Sequence, residues 1–210
     1  MKNISKKNKI IALIIILILI AGTIMLIAKG FNKSITYSNS TRIECYIPKG
    51  YEKKDIKQIA DEAFSDKNIK IEDIEKLNQI VSIRIKNYNQ EELTNFKNKI
   101  AEKYEMNDEE IDIHEVKVPT TRISTIVSPY ILPISIVTAL SCIYIALRNI
   151  KNKEMLKKVL RLIITLIVVV GLYFSIIVIA RIPVNEYMMP IALSVYVATL
   201  LLTVIKLNKN

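Results

Sequence analysis

The sequence predicts an α-helical membrane protein with four transmembrane helices and one α+β domain held outside the membrane. One long apolar segment lies near the start, and three more lie in the second half, after about ninety mostly polar residues. The four segments are residues 10–28, 123–147, 162–180 and 187–205. At a rise of about 1.5 Å per residue, each is long enough to cross a hydrocarbon core of about 30 Å.

The segments that connect these spans complete the predicted organisation. In chain order we expect a cytoplasmic tail, an extracytoplasmic domain, a basic cytoplasmic loop, an outer loop and a second cytoplasmic tail, namely residues 1–9, 29–122, 148–161, 181–186 and 206–210. A basic head before an apolar run is also typical of a signal peptide, but this run exceeds the usual length of about 7 to 15 residues. The first span is therefore predicted to be an uncleaved anchor.

Positive charge predicts the orientation. Twelve basic residues flank the spans on one side only, and that side carries a single acid, Glu154. These residues are Lys2, Lys6, Lys7, Lys9, Arg148, Lys151, Lys153, Lys157, Lys158, Arg161, Lys206 and Lys209. Residues 29–122, in contrast, hold 17 basic and 18 acidic side chains. The positive-inside rule makes the basic side the cytoplasm, with both termini inside a multi-pass protein of the cell membrane. The net charge of +10 thus indicates topology, and we expect no nucleic-acid partner.

Few side chains are available for chemistry. Cys45 lies in the polar domain and Cys142 in the middle of the second span, so a disulfide between them is geometrically implausible. His114 is the single histidine, which excludes ordinary zinc sites and any nucleophile, base and orienter triad. The acidic run at residues 108–110 is typical of a solvated loop. We therefore expect no enzyme, no catalytic residues, no metal and no cofactor.

Alternation and helical periodicity organise the polar domain. Period-2 alternation predicts strands at residues 41–47, 68–73 and 79–86. Apolar spacing predicts one helix with the stripe Ile56, Ile59, Ala60, Ala63 and Phe64, and a second with Leu93, Phe96, Ile100 and Tyr104. Asn89 followed by Glu92 predicts a capping box at the start of the second helix.

The last predicted strand, residues 111–118, changes phase. Ile111 and Ile113 share one parity, and Val116 and Val118 share the other, so we expect a bulge near His114 and Glu115. The resulting order β-α-β-β-α-β predicts a ferredoxin-like domain. Its open sheet face, or an edge strand, is where an unfolded polypeptide is expected to dock.

The spans also contain local signals. Pro129 and Pro133 predict kinks in the second span. Gly171 and Ser175 form a small-xxx-small pair that predicts helix packing in the third span.

Two short motifs resemble the SecD/SecF family of protein-export membrane proteins, and its SecF half more closely. Members have one span, an external ferredoxin-like domain, a Val-Gly-Pro-Thr-like junction and a second span that ends in Tyr-(Ile/Val)-Ala-Leu-Arg-Phe. The positions here that match these motifs are Val118, Pro119, Thr120, Tyr144, Ala146, Leu147 and Arg148. The resemblance implies an accessory subunit for protein translocation that works with other translocase subunits or a SecD-like partner.

The sequence also departs from the family. The Gly of the junction is Val118, no Gly-Gly pair precedes the first strand, and the chain is divergent and shortened to four spans where the family has six. Family members carry acids within or beside the fourth span, but residues 194–199 read Ser-Val-Tyr-Val-Ala-Thr. The only acids after residue 122 are Glu154 and Glu186. The resemblance therefore implies an export role without a proton relay of its own.

Two alternatives remain open from the sequence. An FtsX-type permease subunit of an ABC system also has one span, an outer domain and three further spans, and it would need a coupling helix near residues 152–158 to contact an ATPase. The other alternative is an orphan membrane sensor or accessory protein.

Overall fold

A computed structural model describes residues 6–48, 50–66, 68–73, 79–107, 110–151 and 153–209. The chain divides into two compact units, a helical unit of Met1–Asn32 with Ile123–Asn210 and an α/β domain of Lys33–Arg122. In chain order the elements are α1 (Lys6–Lys29), β1 (Ser40–Tyr46), α2 (Lys53–Ala63), β2 (Lys70–Asp73), β3 (Ile80–Ile85), α3 (Gln90–Tyr104), β4 (Ile113–Val118), α4 (Ile123–Arg148), α5 (Met155–Ile179) and α6 (Met188–Lys209).

Four helices of the described chain, α1, α4, α5 and α6, are long and apolar enough to cross a membrane, as the sequence predicts. The protein is therefore mostly helical, with a small antiparallel sheet. Helix α5 begins at Met155, before the apolar segment 162–180 that the sequence predicts as a span. The intervening Lys157, Lys158 and Arg161 lower the hydropathy but are good helix formers, so the helix extends beyond the apolar segment.

Helix α5 packs against α1, α4 and α6. A Cβ added to Gly22 of α1 would overlap the backbone and side chain of Ser175. One added to Gly171 would lie 3.1 Å from the Leu19 side chain. The predicted pair Gly171 and Ser175 thus forms the surface on which α1 approaches α5 closely, the arrangement that small residues allow in membrane helices.

Helix α4 is continuous over both Pro129 and Pro133. Each proline removes one backbone donor from the helix, so local bending is still expected at this point. Hydroxyl groups on the same helix bond back to its carbonyls, as Thr138 does to Ile134 at 2.6 Å and Ser141 to Val137 at 2.8 Å.

Hydrogen bonds fix the turn between α5 and α6 to the end of α1. The Asn32 side chain donates to the Arg181 carbonyl at 2.8 Å, and the Arg181 guanidinium donates to the Gly30 carbonyl at 2.9 Å. The Val184 amide donates to the Asn32 carbonyl at 2.7 Å. Arg181 holds a left-handed conformation with φ of 54°, and these bonds hold it in that unusual conformation.

The α/β domain contains a four-stranded antiparallel sheet with strand order β2-β3-β1-β4. Inward residues of β1 and β3 meet α2 and α3 in one core, as their alternation predicts. This core includes Ile43, Cys45, Ile56, Phe64, Val81, Ile83, Ile85, Phe96 and Ile100. The helices are joined at the surface by Lys99 to Glu62 at 2.6 Å and Lys103 to Asp55 at 3.3 Å.

The predicted bulge near His114 and Glu115 is wrong. The register between β1 and β4 runs without interruption from Ser40 opposite Val118 to Cys45 opposite Ile113. Ile111 is buried before the strand begins, and Ile113 packs against the same core. Val116 lies opposite Arg42, so the second parity faces the other side of the sheet. The phase change therefore reflects apolar residues on both faces, and no extra residue is inserted.

The capping box that begins α3 is confirmed. The Asn89 side chain accepts from the Glu92 amide at 2.8 Å, and the Glu92 carboxylate accepts from the Asn89 amide at 3.0 Å. Glu92 also accepts from the Ser65 amide at 2.9 Å and from its hydroxyl. Because the Ser65 hydroxyl, the Ser65 amide and the Asn89 amide all donate to the carboxylate and stabilise its charged form, these three donors hold the pKa of Glu92 below its ordinary value.

Candidate functional site

The first motif, Val118 to Thr120, fixes the exit of the α/β domain to its entry. The Thr120 hydroxyl donates to the Tyr37 carbonyl at 3.0 Å, and the Thr121 amide donates to the same oxygen at 3.0 Å. Lys33 donates to the Thr120 hydroxyl at 3.1 Å and to the Thr121 carbonyl at 2.7 Å. Pro119 and Thr120 are exposed and Val118 is half-buried. The two connectors of the domain are thus held together by hydrogen bonds.

The second motif lies at the far end of α4. The Arg148 guanidinium donates to the Tyr144 hydroxyl at 2.9 Å, one helical turn away. Ala146 is half-buried and Leu147 is exposed, whereas the intervening Ile145 is fully buried among α5 and α6 residues. The two motifs belong to different units of the chain, and the second lies at the end of the 26-residue helix α4.

A pair of hydroxyls joins α4 to α6 within the helical unit. Tyr196 of α6 is 4% exposed, and its hydroxyl is hydrogen-bonded to the Thr138 hydroxyl of α4. Thr138 in turn donates to the Ile134 carbonyl at 2.6 Å. Tyr196 lies in the segment where the resemblance expects acids. The pair joins two helices but contains no carboxylate that could carry a proton across the membrane.

An apolar cavity of about 210 Å³ lies beside this hydroxyl pair, between α4, α5 and α6. Its lining includes Tyr130, Ile134, Phe174, Leu193 and Tyr196. No pattern in the sequence predicts this cavity, because its lining residues come from three helices and have ordinary composition. The lining suits an apolar group and has no charge for chemistry.

The open face of the sheet is polar. Arg42 pairs with Glu44 at 3.2 Å, and Arg84 pairs with Glu72 at 3.2 Å. Arg84 also donates to the Thr36 carbonyl at 2.9 Å, so the segment before β1 covers part of this face. An apolar peptide would have to displace these ion pairs to dock on the face. Between the two sites that the sequence suggests for a polypeptide, the geometry therefore favours an edge.

Strand β4 is one of the two edge strands of the sheet, with β2 at the other edge. Its residues His114, Glu115, Val116 and Lys117 are all exposed. The Tyr46 amide donates to the Asp112 carbonyl at 3.1 Å, which continues the β1–β4 ladder. Because hydrogen-bonded and non-hydrogen-bonded pairs alternate in an antiparallel ladder, the backbone groups of Ile113, Glu115 and Lys117 point away from β1. They form a row of donors and acceptors that an added strand can use.

Cys45 and His114 of the α/β domain lie in different surroundings. Burial raises the pKa of the Cys45 thiol to about 12, so it is not a nucleophile at neutral pH. His114 is exposed and lies 3.0 Å from Asp112. Among the residues that the structure describes, no group of three or more His, Cys, Asp or Glu side chains could hold a metal ion. Two members of the acidic run, Asp108 and Glu109, lie outside the described residues.

A further cluster of polar residues lies at the turn between α4 and α5. Its position was not predicted from the sequence. Lys158 is 9% exposed and donates to the Asn149 side-chain oxygen at 2.9 Å. Its signal in the sequence is the spacing Lys158, Leu162 and Leu166, which places the lysine at the end of the buried face of α5.

Comparison with known proteins does not identify a family. No protein-family model matches the chain, and no curated protein matches it.

Proposed function

We propose that this protein is a SecF-like accessory subunit of a membrane machine that translocates or exports proteins. The observation that carries the proposal is the position of the α/β domain, which is inserted between the first and second apolar helices and has the strand order β2-β3-β1-β4. This order, with the element order β-α-β-β-α-β, supports a ferredoxin-like fold. The motif positions Val118 to Thr120 and Tyr144 to Arg148 support the same family.

In this proposal the domain lies outside the cytoplasm and binds an emerging, unfolded polypeptide at the β4 edge. Strand addition is suited to this task because main-chain hydrogen bonds do not depend on the sequence that is bound. Glu115 and Lys117 on the same edge oppose uncontrolled pairing with other sheets. The exposed Val116, 40% accessible, provides an apolar contact beside them.

The proposed subunit uses energy supplied by a partner. The only acids after residue 122 are Glu154 and Glu186, and Tyr196, which is hydrogen-bonded to Thr138, lies in the segment where the resemblance implies acids. An acid at bilayer depth costs about 2.5 to 3.5 kcal/mol and is retained where it acts. We therefore assign proton coupling to another translocase subunit or a SecD-like partner.

The ABC-permease alternative is less well supported. In the described residues of the α4–α5 connection, Met155 to Lys158 form the first turn of α5 itself. A separate coupling helix is not present among the described residues there, although Asn152 lies outside them. The sensor alternative has no supporting observation of its own.

Site-specific crosslinking in cells tests the proposal. A photoreactive amino acid at Lys117, on the β4 edge, is expected to crosslink to secretory polypeptides during their export. The same group at Lys54, an exposed position on α2, provides the matched control. Absence of polypeptide adducts at Lys117, in cells where the variant accumulates normally, would contradict the proposal.

A further inference from the structure

The turn between α4 and α5 concentrates positive charge at one end of the helical unit. Residues 148–161 contain six basic side chains and one acid, Glu154. Lys157 lies 3.5 Å from Glu154, so the single acid is already engaged within the turn. Residues 148–161 therefore carry an excess of positive charge.

Lys158 is the most unusual of these cations. It lies on the α5 face that also buries Leu162 and Leu166, and its ammonium bonds to the neutral Asn149 amide oxygen at 2.9 Å. The Asn149 amide nitrogen donates to the Ile145 carbonyl at 2.9 Å, which fixes the oxygen towards Lys158. A buried ammonium group has three donors and one full positive charge. A neutral amide oxygen accepts from one of these donors and does not neutralise the charge.

Arg148, Asn149, Lys151 and Lys153 line a shallow, open depression beside this contact, with a volume of about 590 Å³. Arg148 is held by the neutral Tyr144 hydroxyl at 2.9 Å. The two lysines are exposed. Planar guanidinium and mobile ammonium groups around one concave surface are suited to a phosphate oxygen cluster.

Large apolar side chains surround the same turn. Leu147, Ile150 and Leu156 are 65%, 68% and 65% exposed. A free phosphate ion would not cover them, and the phosphate backbone of a nucleic acid would not either. A molecule with an anionic head and apolar chains satisfies both features, because its head lies at the level of the cations and its chains lie along the exposed leucines and isoleucine.

We propose that the α4–α5 turn binds the headgroup of an anionic phospholipid, with Arg148, Lys151 and Lys153 at the phosphate and Lys158 oriented by Asn149 behind them. This inference depends on the four apolar helices spanning a membrane and not on a role in protein export. Its failure is therefore distinguishable from failure of the proposed function.

Native mass spectrometry of the purified full chain in detergent tests this directly. After delipidation, phosphatidylglycerol should be retained in preference to phosphatidylcholine with the same acyl chains. In the triple variant R148Q/K151Q/K153Q we expect retention of phosphatidylglycerol to fall about tenfold or more at low salt. The matched control K54Q/K57Q/K86Q removes three exposed charges from the α/β domain, and it should retain the lipid as the unaltered chain does.

Two further measurements keep the test decisive. Helical circular dichroism and a monodisperse elution profile identify variants that fold, and the lipid preference of the unaltered chain needs no variant. Adding glycerol phosphate distinguishes the sources of the anion. Displacement of phosphatidylglycerol at equal concentration would show a free-phosphate site and overturn the lipid assignment. Equal retention of the two lipids, or no loss in a folded triple variant, would also overturn it.

Discussion

In the α/β domain the large apolar side chains point inward, whereas in the helical unit most of them point outward. Ile43, Ile83 and Phe96 are fully buried in the domain, but Leu132 and Leu202 are 69% and 68% exposed on the helices. Water drives the first arrangement because burial removes apolar surface from it. Lipid offers no such driving force between helices, so close backbone approach at Gly22 and hydroxyl bonds such as Thr138 with Tyr196 hold the second. One chain thus follows two packing rules, each set by its solvent.

The largest expected effect is on the α/β core. The fragment Lys33–Arg122 should fold alone with mixed α/β circular dichroism, because both helices and the sheet meet in one core. Replacing Phe96, which packs on Phe64 with ring centroids 5.2 Å apart, by Ala should lower its free energy of unfolding by about 3–5 kcal/mol. Urea titration of the two fragments measures this difference in the free energy of unfolding.

The contrast is sharpened by Leu132→Ala on α4. This exposed side chain faces lipid in our account, so its truncation leaves no cavity and the thermal stability of the full chain in micelles should change little. A large loss of stability would place Leu132 in a protein interface and contradict the contrast between the two units.

The second effect concerns the helical unit. Gly22→Val should separate α1 from α5, because a side chain at Gly22 overlaps Ser175, and overpacking of this kind costs about 1–3 kcal/mol. Ala21→Val places the same side chain at the neighbouring exposed position. The thermal unfolding temperature in micelles should fall for Gly22→Val and not for Ala21→Val. Equal effects would mean that small size at Gly22 is not required.

The third effect is local. Asn89→Ala removes the cap of α3 and should cost the fragment about 1 kcal/mol. Asn95→Ala, at an exposed position within the same helix, should be neutral or slightly stabilising, because alanine is the better helix former. The urea midpoints of the two variants measure this difference. An unchanged midpoint in Asn89→Ala would indicate that the capping box contributes nothing to stability.

The smallest effect is the pH dependence of the domain. Lys99 and Gln58 hold the pKa of Glu62 below its ordinary value of 4.5, and Ser65 and Asn89 do the same for Glu92. Because a lowered pKa in the folded state means that the folded state favours the charged form, this stability is present above pH 4.5 and is lost as the pH falls through the lowered values.

Urea midpoints of the fragment measured from pH 7 to pH 3 should therefore decline below about pH 4.5. Glu92→Gln should make the decline shallower. An unchanged pH dependence of the urea midpoint in that variant would show that Glu92 does not contribute to the decline.

The sequence predicted the existence of every helix and strand better than their limits or environments. The Asn89–Glu92 spacing was sufficient for the α3 cap because capping is a local property. Helix α5 begins before the apolar segment 162–180, because hydropathy excludes Lys157 and Lys158 although both continue the helix. The phase of β4 was misinterpreted because Ile111 precedes the strand and Val116 lies on the open face. Lys158 contacts Asn149 across the α4–α5 turn, and the cavity near Tyr196 is lined by three helices. Periodicity in one segment does not reveal such contacts.

Topology is the claim on which the account depends most directly. Single cysteines at Lys54 and Lys153 report the two sides, in a chain with Cys142 replaced by Ser. Cys45 needs no replacement because it is buried and its pKa is raised to about 12. With a membrane-impermeant maleimide on intact cells, we predict that Lys54→Cys reacts at once and that Lys153→Cys reacts only after permeabilisation. Reaction at Lys153→Cys in intact cells, with Lys54→Cys protected, would contradict the account.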